Sequence, residues 1–441
     1  MNDRRVIISG LFGIANLAVI VVLWWVHSGV FFQSGWGTGN PAIALGRLAG
    51  LLLQFALLLQ LVLIGRISFI EKAMGFDTMN RFHRLLGYWL TVLLVAHPTL
   101  ITFGYSALGG QPVADAFVSV VTGFEKVLSA LSGALILLGV IALSIPWVRR
   151  KLRYESWHGI HLLTYLAMWL SFGHQVASGH DFASRTFALY WYTLNGAVVG
   201  TYFLYRFFRP FALWYRHRFV VERVVQETPD TWSIYVTGRA METFRFEPGQ
   251  FATIHPFSKG LWPGHPFSFS REFDGTSVRF TIKALGDGTK LVASLKPGVR
   301  ILIDGPLGAF TPRRSKTGRY LLIAGGIGIT PLRALAGALS REGKDVVVLY
   351  GARSQAHTAL LDEVTSRVPN THLFLSDQSE GIPAHAHTGQ INAQAIQELV
   401  PDAAKRDAYI CGPAPMMDAV TRELRSIGVP MRQIHSERFA F

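Results

Sequence analysis

The stretch NRFHRLLGYWLTVLLVAHPTL, residues 80–100, places two histidines in a segment that is apolar enough to cross a membrane. His83 and His97 are fourteen residues apart, which separates them by roughly 20 Å along a helix that rises about 1.5 Å per residue. A polar imidazole in hydrocarbon is costly unless a partner satisfies its nitrogens. The stretch therefore predicts a membrane helix whose histidines have partners at two depths.

A second apolar segment repeats the arrangement. The stretch WHGIHLLTYLAMWLSFGHQ, residues 157–175, contains His158, His161 and His174. Two cross-helix pairs at two depths, His83 with His161 and His97 with His174, are what two stacked bis-histidine b-type haems require. Histidines that are packed, hydrogen-bonded or part of a proton relay are the alternative interpretation.

The angular relation is regular in the first stretch and irregular in the second. At about 100° per residue, His97 returns to within about 40° of the face of His83, whereas His174 lies about 140° from the face of His161. A local bulge at Gly173 would correct this angle. His158, one turn before His161, is the alternative inner ligand.

Composition supports a partly membrane-embedded chain. Of the 441 residues, 50% are hydrophobic and 16% are charged, whereas soluble domains carry about 25% charged residues. The net charge of +14 is not arranged as a basic stripe with interleaved aromatics, so nucleic-acid binding is not expected. The single cysteine, Cys411, excludes a disulfide framework, a cysteine-ligated iron–sulfur cluster and covalent CxxCH haem attachment.

Six windows of roughly 20 apolar residues are candidate spans. They lie at about 6–26, 42–64, 82–103, 127–148, 157–176 and 187–208. The first is too long for a signal-peptide core and is expected to be retained. Lys and Arg concentrate before the first window, in alternate connections and after the last, so the positive-inside rule predicts cytoplasmic N- and C-termini in the cell (inner) membrane.

Arg47 enters the second window from the outer side. An arginine just inside the outer leaflet either reaches toward the head groups or holds an anion. A haem propionate would supply such an anion, and both interpretations remain open.

The second half of the chain changes character at about residue 219. Short alternating segments with Gly/Pro turns predict a small antiparallel barrel. HPFSFS, residues 265–270, can present a ring and hydroxyl groups to a flat ligand. The turn at Gly286–Thr289 can bring backbone N–H groups to a pyrophosphate. Each stretch alone is a weak signal.

From residue 319 onward, strands and helices alternate. YLLIAGGIGITPLRALAGAL, residues 320–339, is a strand, a glycine turn and a helix with the pattern GxGxxP at Gly326, Gly328 and Pro331. Glycines there permit close backbone approach, and the helix start offers N–H groups to a phosphate. Arg353 follows the next strand. There it either pairs with a 2′-phosphate, which would favour NADPH, or caps a solvated loop. Cys411 is either part of the site or a buried structural thiol.

Together these motifs resemble the NADPH oxidase and ferric reductase superfamily, over nearly the whole chain and most closely its compact bacterial members. The resemblance implies a six-helix transmembrane di-haem bundle at 1–212, a ferredoxin-reductase-like antiparallel β-barrel FAD domain at 213–317 and an α/β nicotinamide-binding domain at 318–441. It implies haem ligation by His83 with His161 and by His97 with His174.

The resemblance also assigns the other cofactor residues. His265, Pro266, Phe267 and Ser268 match the FAD-binding motif, in which soluble relatives usually carry Arg in place of His265. Gly288 and Thr289 match the residues at the flavin phosphates. The residues assigned to nicotinamide binding are Gly325, Gly326, Gly328, Thr330, Pro331, Arg353, Cys411, Gly412 and Pro413. Phe441 is positioned in this family to stack on the flavin and be displaced by nicotinamide.

The implied activity is electron transfer from cytoplasmic NADPH, or NADH, through FAD and two haems to oxygen on the outer face, which yields superoxide. The lipid bilayer is the expected environment, and no obligatory protein partner is evident. Three alternatives remain: an external ferric-chelate reductase, a relay subunit serving a quinone or protein, and a transporter or proton channel that uses the histidines as relays. The last leaves the flavin and nicotinamide motifs unexplained.

Overall fold

The computed structural model describes residues 2–258, 264–377, 383 and 386–437. The chain divides into two compact units. The first contains Asp3–Ile67 and Met79–Phe203, and the second contains Ser68–Thr78 and the chain from Leu204 onward.

The first half of the chain is helical. In chain order the helices are α1 Asn2–Ser28, α2 Asn40–Ile64, α3 Ser68–Met74, α4 Phe76–Gly109, α5 Val113–Gly123, α6 Val127–Ser144, α7 Pro146–Arg149, α8 Tyr154–His161, α9 Leu163–Ser178 and α10 Arg185–Phe203. Long apolar runs form these helices because a helix satisfies its backbone N–H and C=O groups internally, which hydrocarbon requires.

Among the described helices, four segments are long and apolar enough to span a membrane: Gly10–Ser34, Asn40–Ile64, Phe76–Gly109 and Val127–Ser144. Large apolar side chains such as Trp25, Leu135 and Trp169 are 56%, 61% and 74% exposed, which suits a surface that faces lipid. The fifth predicted window corresponds to α8 and α9, which are each shorter than those four segments, and the sixth corresponds to α10, which is less apolar.

The second unit begins with an antiparallel lobe. After α11 (Arg209–His217), its elements are β1 Val220–Thr228, β2 Thr231–Thr237, β3 Phe251–Pro256, β4 His265–Ser268, β5 Val278–Lys283, α12 Asp287–Lys290 and β6 Ile301–Leu307. The described strands form two three-stranded sheets, β1-β2-β5 and β4-β3-β6, linked by isolated bridges at Phe269–Phe280 and Val220–Arg300. The alternating patterns thus form antiparallel sheets, and complete closure into a barrel stays a prediction.

A parallel lobe follows. Its elements are β7 Arg319–Gly325, α13 Ile329–Arg341, β8 Asp345–Ala352, α14 Leu361–Arg367, β9 Thr371–Leu375, β10 Ala386–Thr388, α15 Ala393–Leu399, β11 Asp407–Cys411, α16 Ala414–Ser426 and β12 Ile434–Ser436. In the described part of the chain, these strands form one sheet in the order β10-β9-β8-β7-β11-β12. The order reverses between β7 and β11, and open α/β sheets bind ligands at the carboxyl ends of strands flanking such a point.

Candidate functional site

The first unit brings the four predicted histidines together as two pairs. The rings of His83 on α4 and His161 at the end of α8 have centroids 6.2 Å apart. The rings of His97 on α4 and His174 on α9 have centroids 5.9 Å apart. His158 instead lies with its ring centroid 6.4 Å from that of Trp157.

These spacings fit a metal ion between the rings of each pair. Two metal–nitrogen bonds of about 2 Å, with about 1 Å more from each nitrogen to its ring centre, place two centroids about 6 Å apart. Buried Nδ1 atoms of His83 and His174 have no hydrogen-bond partner within the described residues. No cluster of three or more His, Cys, Asp or Glu suited to a metal occurs in that part of the chain, and a bis-histidine haem needs only two protein ligands per iron.

The ring of His97 is oriented by α2. Its Nδ1 lies 2.7 Å from the carbonyl oxygen of Gly46, so Nδ1–H donates and Nε2 remains free to bind a metal. Gly50, one turn further along α2, makes room for this ring, because a Cβ there would lie 2.8 Å from Nδ1 of His97. The GRLAG spacing of Gly46 and Gly50 was a readable signal that sequence reasoning missed.

His161 has a comparable but longer contact. Its Nδ1 lies 3.4 Å from Oγ of Ser144 on α6, and the indole Nε1–H of Trp157 donates to the same oxygen at 3.2 Å. Ser144 in turn donates to the carbonyl of Val140 at 2.7 Å. The hydroxyl therefore holds two aromatic side chains of α8 against α6.

The chain between His161 and His174 departs from a continuous α-helix at Leu162. Helix α8 ends at His161 and α9 begins at Leu163, whereas α9 continues without interruption through Gly173 to Ser178. The expected bulge at Gly173 is therefore absent from the described helix. The irregularity lies at Leu162, whose φ of −65° and ψ of −17° remain in the helical region and whose N–H still donates to the His158 carbonyl.

A buried amide network holds α9 beside His174. Gln175 Nε2 donates to Gln54 Oε1 at 3.1 Å, and Gln54 Nε2 donates to Asn195 Oδ1 at 2.7 Å. The indole of Trp191 donates to Gln175 Oε1 at 3.2 Å. Because these groups satisfy one another away from water, they fix α2, α9 and α10 around the outer pair.

Arg47 lies in the same unit as the histidine pairs. Its guanidinium carbon is 5.1 Å from the centre of the Phe31 ring. Its Nη1 is buried without a hydrogen-bond partner in the described part of the unit. Asp181, only 3% exposed, interacts electrostatically with Arg47. An unused buried donor suits an anion, so the anion-holding interpretation remains a proposal.

In the second unit, β4 carries the HPFS segment. It pairs antiparallel with β3, with His265 opposite Ile254 and Ser268 opposite Phe251. Alternation along the strand gives His265 and Phe267 one face, with ring centroids 6.4 Å apart, and gives Pro266 and Ser268 the other. The strand thus offers two different surfaces, and their flavin contacts stay a prediction.

The turn that precedes and includes α12 is closed by Thr289. Its hydroxyl oxygen accepts from the backbone N–H groups of Leu285 and Gly286, both at 2.9 Å. The backbone of Gly288 lies in α12. Since Gly286 already has this partner, a pyrophosphate here would depend on other N–H groups of the turn.

The glycine turn after β7 packs against the turn after β11. A Cβ at Gly328 would collide with the carbonyl of Cys411, and one at Gly325 would collide with Pro413 and the Met416 sulfur. Gly412 approaches Gly325 with similar closeness. The two predicted nicotinamide segments are therefore brought together at the point where the strand order reverses.

The other predicted residues lie around this junction. Gly326 has a φ of +52° and open space at its Cβ position, so a ligand can approach its backbone. Thr330 donates to the carbonyl of Ile327 at 3.0 Å, and Pro331 lies in the first turn of α13. Arg353 is exposed directly after β8. Phe441 lies outside the described residues.

Cys411 is a neutral thiol. Its side chain is 1% exposed, and burial, with the nearby carboxyl groups of Glu437 and Asp77, raises the pKa of the thiol. A thiolate nucleophile is therefore not expected at this position. The residue packs the junction and supplies its carbonyl against Gly328.

Two buried carboxyl groups near this junction were missed by sequence reasoning. Burial, then the neighbouring Asp77 and Glu71, raise the pKa of Glu437 well above its usual value. Glu71 on α3 accepts from the backbone N–H of Gly308 at 2.9 Å. Glu437 is four residues before Phe441, which the sequence motifs had singled out, but nothing in the sequence showed that residue 71, more than 360 positions earlier, belongs to the same unit.

Asp407, at the start of β11, is fully buried. Burial alone would raise the pKa of its carboxyl, but hydrogen bonds from His435, Thr317 and Lys316 outweigh burial and hold that pKa below its usual value. His435 Nε2 lies 3.0 Å from Oδ1, and the Lys316 and Thr317 N–H groups donate to Oδ2 at 2.8 Å. The ionised form therefore stabilises the fold of this lobe.

We expect Asp407→Asn to lower the free energy of unfolding by about 2–3 kcal/mol at neutral pH, because it weakens charge-assisted bonds to a buried group. A depressed carboxyl pKa stabilises above the unfolded value of about 3.9 and ceases to stabilise as pH falls through the folded value. The gap between wild type and variant should therefore narrow below about pH 4. Thermal unfolding of the full chain at several pH values measures it, and an equal gap at acid and neutral pH would contradict this account.

A buried ion network joins the two lobes of the second unit. Arg279 on β5, 1% exposed, donates to both carboxylate oxygens of Glu363 on α14, at 2.6 and 3.0 Å. Arg333 on α13 donates to Glu363 at 2.7 Å and also pairs with Glu272, which follows β4. Gly337 leaves space for the Glu272 carboxylate, which a Cβ would occupy.

Family models match three consecutive parts of the chain. Residues 45–172 match the ferric reductase like transmembrane component, residues 217–311 match an FAD-binding domain, and residues 322–422 match an oxidoreductase NAD-binding domain. These matches cover both histidine pairs except for His174, together with the HPFS strand and the two glycine turns.

Individual relatives match the second half alone. The glycine betaine monooxygenase reductase subunit of Chromohalobacter salexigens is 28% identical over 51% of this chain and 64% of its own length. The ferredoxin reductase component of the 3-ketosteroid-9-alpha-monooxygenase of Rhodococcus rhodochrous is 30% identical over 50% of this chain and 64% of its own length. The chain thus spans slightly less than two thirds of the length of these curated relatives.

A solved structure, the flavohem-like FAD/NAD binding domain of nitric oxide dioxygenase from Vibrio cholerae, is 23% identical and superposes with a TM-score of 0.45 over 50% of this chain and 97% of its own.

The three consecutive family matches, in this order on one chain, are the architecture that the sequence motifs resembled. The chain therefore has the architecture of NADPH oxidase and ferric reductase-like proteins, in which a ferric reductase like transmembrane component is followed by FAD-binding and NAD-binding oxidoreductase domains.

Proposed function

We propose that the protein is a transmembrane NADPH oxidase that moves electrons from cytoplasmic NADPH to molecular oxygen at the outer face. One NADPH would reduce two oxygen molecules to two superoxide ions, with release of NADP⁺ and one proton. FAD would take the hydride and two b-type haems would relay single electrons, chemistry that the cofactors themselves supply.

The observation that carries this proposal is the pair of histidine couples in one membrane unit, at two depths on α4. Ring centroids 6.2 and 5.9 Å apart suit an iron between the members of each couple. The hydrogen bond from His97 to the Gly46 carbonyl supports the same role, because it leaves Nε2 available. A proton relay would not need both couples at this spacing.

The chain's own residues would bind and orient the cofactors. His83 with His161 would hold the inner haem, and His97 with His174 the outer haem. Arg47, whose buried Nη1 lacks a partner in the described part, would hold a propionate or the acceptor. In the second unit, the His265–Ser268 strand and the turn at Gly288 and Thr289 would bind FAD.

The nicotinamide nucleotide would bind at the junction of the two glycine turns, with Arg353 at a 2′-phosphate and Phe441 on the flavin ring. The proposal includes six spans, cytoplasmic termini in the inner membrane, a closed FAD-domain barrel and domains at 1–212, 213–317 and 318–441.

The match to a ferric reductase like membrane component supports a second candidate, reduction of ferric chelates at the outer face by the same path.

The deciding experiment is NADPH-driven reduction of cytochrome c by the purified protein supplied with FAD, with and without superoxide dismutase. We expect the dismutase to abolish most of the reduction, since superoxide would be the carrier. Reduction that resists the dismutase, together with NADPH-driven reduction of ferric citrate without oxygen, would favour the ferric reductase. An NADH comparison in the same assay tests the cofactor preference.

A further inference from the structure

A cavity of about 390 Å³ opens on the antiparallel lobe, and none of its lining residues belongs to a segment assigned to a cofactor. Its lining residues are Trp214, Arg218, Val220, Arg239 and Arg300. They come from the end of α11, the beginning of β1, the turn after β2 and the residue before β6. Three arginines from parts of the chain up to 82 positions apart in sequence thus line one cavity, and all three are exposed.

The backbone around the cavity is fixed by hydrogen bonds. The N–H of Arg239 donates to the carbonyl of His217 at 2.6 Å, and the N–H of Phe257 donates to the carbonyl of Arg300 at 2.9 Å. Arg300 also forms a bridge with Val220. The backbone at Arg239 and Arg300 is therefore fixed by the fold.

Their positive charge has no acidic counterpart. Within the described residues, none of Arg218, Arg239 and Arg300 forms an ion pair with a carboxylate, whereas other arginines of this unit do. Arg218 instead lies over aromatic rings, 5.2 Å from the centre of Trp214 and 4.9 Å from that of Tyr215. Guanidinium groups without a carboxylate are suited to a phosphate, which they bind with two parallel hydrogen bonds.

Trp214 contributes a further unpaired polar group beside the cavity. Its indole Nε1 is buried and has no hydrogen-bond partner among the described residues, whereas buried indole N–H groups usually have an acceptor. The cavity itself has three arginines in its lining, and an anionic oxygen ligand would supply the counter-charge that the described residues do not give them.

The position of α11 in the chain indicates where the anion comes from. Trp214 is eleven residues beyond the end of α10 at Phe203, about 17 Å along a helical path. On the same helix and the turn before it, Phe207, Phe211 and Tyr215 recur every four residues and are 47%, 59% and 71% exposed. Exposed aromatics beside arginines, close to the end of an apolar helix, are typical of segments that lie in a membrane interface.

We propose that this cavity binds the phosphodiester headgroup of an anionic phospholipid, while the aromatic stripe of α11 enters the acyl-chain boundary. The lipid phosphate accepts from the three arginines. The site attaches the antiparallel lobe to an anionic bilayer surface.

The test uses the full-length, FAD-loaded protein, delipidated in neutral detergent and titrated with phosphatidylglycerol or phosphatidylcholine of the same acyl chains. Native mass spectrometry counts the bound lipids. Wild-type protein is expected to bind phosphatidylglycerol about tenfold more tightly than phosphatidylcholine, since each arginine near an anionic lipid adds to its affinity. Equal affinities would overturn the proposal.

The variant R218Q/R239Q/R300Q is expected to lose this preference and to bind phosphatidylcholine as before. The matched control R422Q/R425Q/R432Q removes three arginines on and beyond α16, far from the cavity in sequence, and should retain it. Unchanged binding in the first variant, or an equal loss in both, would overturn the assignment. If the first variant does not yield monodisperse, FAD-loaded protein, R239Q/R300Q takes its place with the same two outcomes.

Competition distinguishes lipid from free phosphate. Excess inorganic phosphate or glycerol phosphate should leave phosphatidylglycerol bound, because these solutes cannot use the aromatic stripe. Complete displacement by either solute would identify a site for a soluble phosphate and overturn the lipid assignment. None of these measurements depends on electron transfer, so the result is independent of the proposed oxidase activity.

Discussion

Replacing His97 with alanine is expected to leave purified protein with about half of the wild-type haem, because the outer haem would lose one of its two axial ligands. Oxygen reduction at the outer face should fall to background, since the last carrier is absent. A pyridine haemochrome assay measures the haem content. Reduction of a soluble dye by NADPH through the flavin should remain close to wild type, because the second unit is unchanged.

His158→Ala is the matched control for this experiment. The ring of His158 lies beside Trp157, whereas the ring of His161 is the one that faces His83. We therefore expect His158→Ala to retain both haems and His161→Ala to lose the inner one. Loss of haem from His158→Ala alone would assign the inner ligand to His158 and refute the proposed pairing.

Glu272→Gln is expected to lower the free energy of unfolding of the second unit by about 3–5 kcal/mol, the range found when one member of a buried ion pair is removed. Glu272 is 6% exposed, and Arg333 and Arg341 both pair with it. Glutamine keeps the volume but leaves the positive charges of these arginines without that partner. Because the network joins the two lobes, unfolding of both lobes should shift together.

Release of FAD fluorescence during thermal and urea unfolding of the full chain measures this effect. Glu342→Gln, at the end of α13 and exposed, is the control and should change stability by less than about 0.5 kcal/mol. A loss at Glu272 no larger than at Glu342 would mean that the network contributes no measurable stability. Separate unfolding of the two lobes in wild type would contradict the joint shift.

The sequence predicted the pairing of histidines better than it predicted the helix that carries two of them. Depth follows from residue spacing alone, so His83 with His161 and His97 with His174 could be paired by counting positions. The same count showed that His161 and His174 would lie on different faces of a regular helix, but the predicted correction was a bulge at Gly173. The irregularity lies at Leu162 instead, between His161 and Leu163, which have no strong helix-breaking tendency, so the sequence carried no local signal for it.

The contacts that orient those histidines were harder to predict from the sequence. Gly46 and Gly50 matter because a carbonyl and an imidazole approach α2, and close approach depends on which face of α2 meets α4. Likewise, the ion network around Glu272 draws on β5, α13 and α14, and its convergence depends on how two lobes pack. Residue type and spacing indicate candidate ligands, whereas the groups that support them are set by long-range packing.

The short helix α3 has a consequence for dividing this protein. Residues 68–78, which contain α3 and the first residues of α4, are flanked in sequence by the first unit yet belong to the second. There Glu71 accepts the Gly308 N–H and Phe76 packs edge-on to Phe251. A single cut after Phe203 would therefore release a C-terminal fragment that lacks one of its own parts. Such a fragment would lack the carboxylate that accepts the Gly308 N–H and one ring that packs against Phe251, so its solubility and flavin retention would understate those of the intact enzyme. Supplying residues 68–78 as a separate peptide should restore what the cut removed.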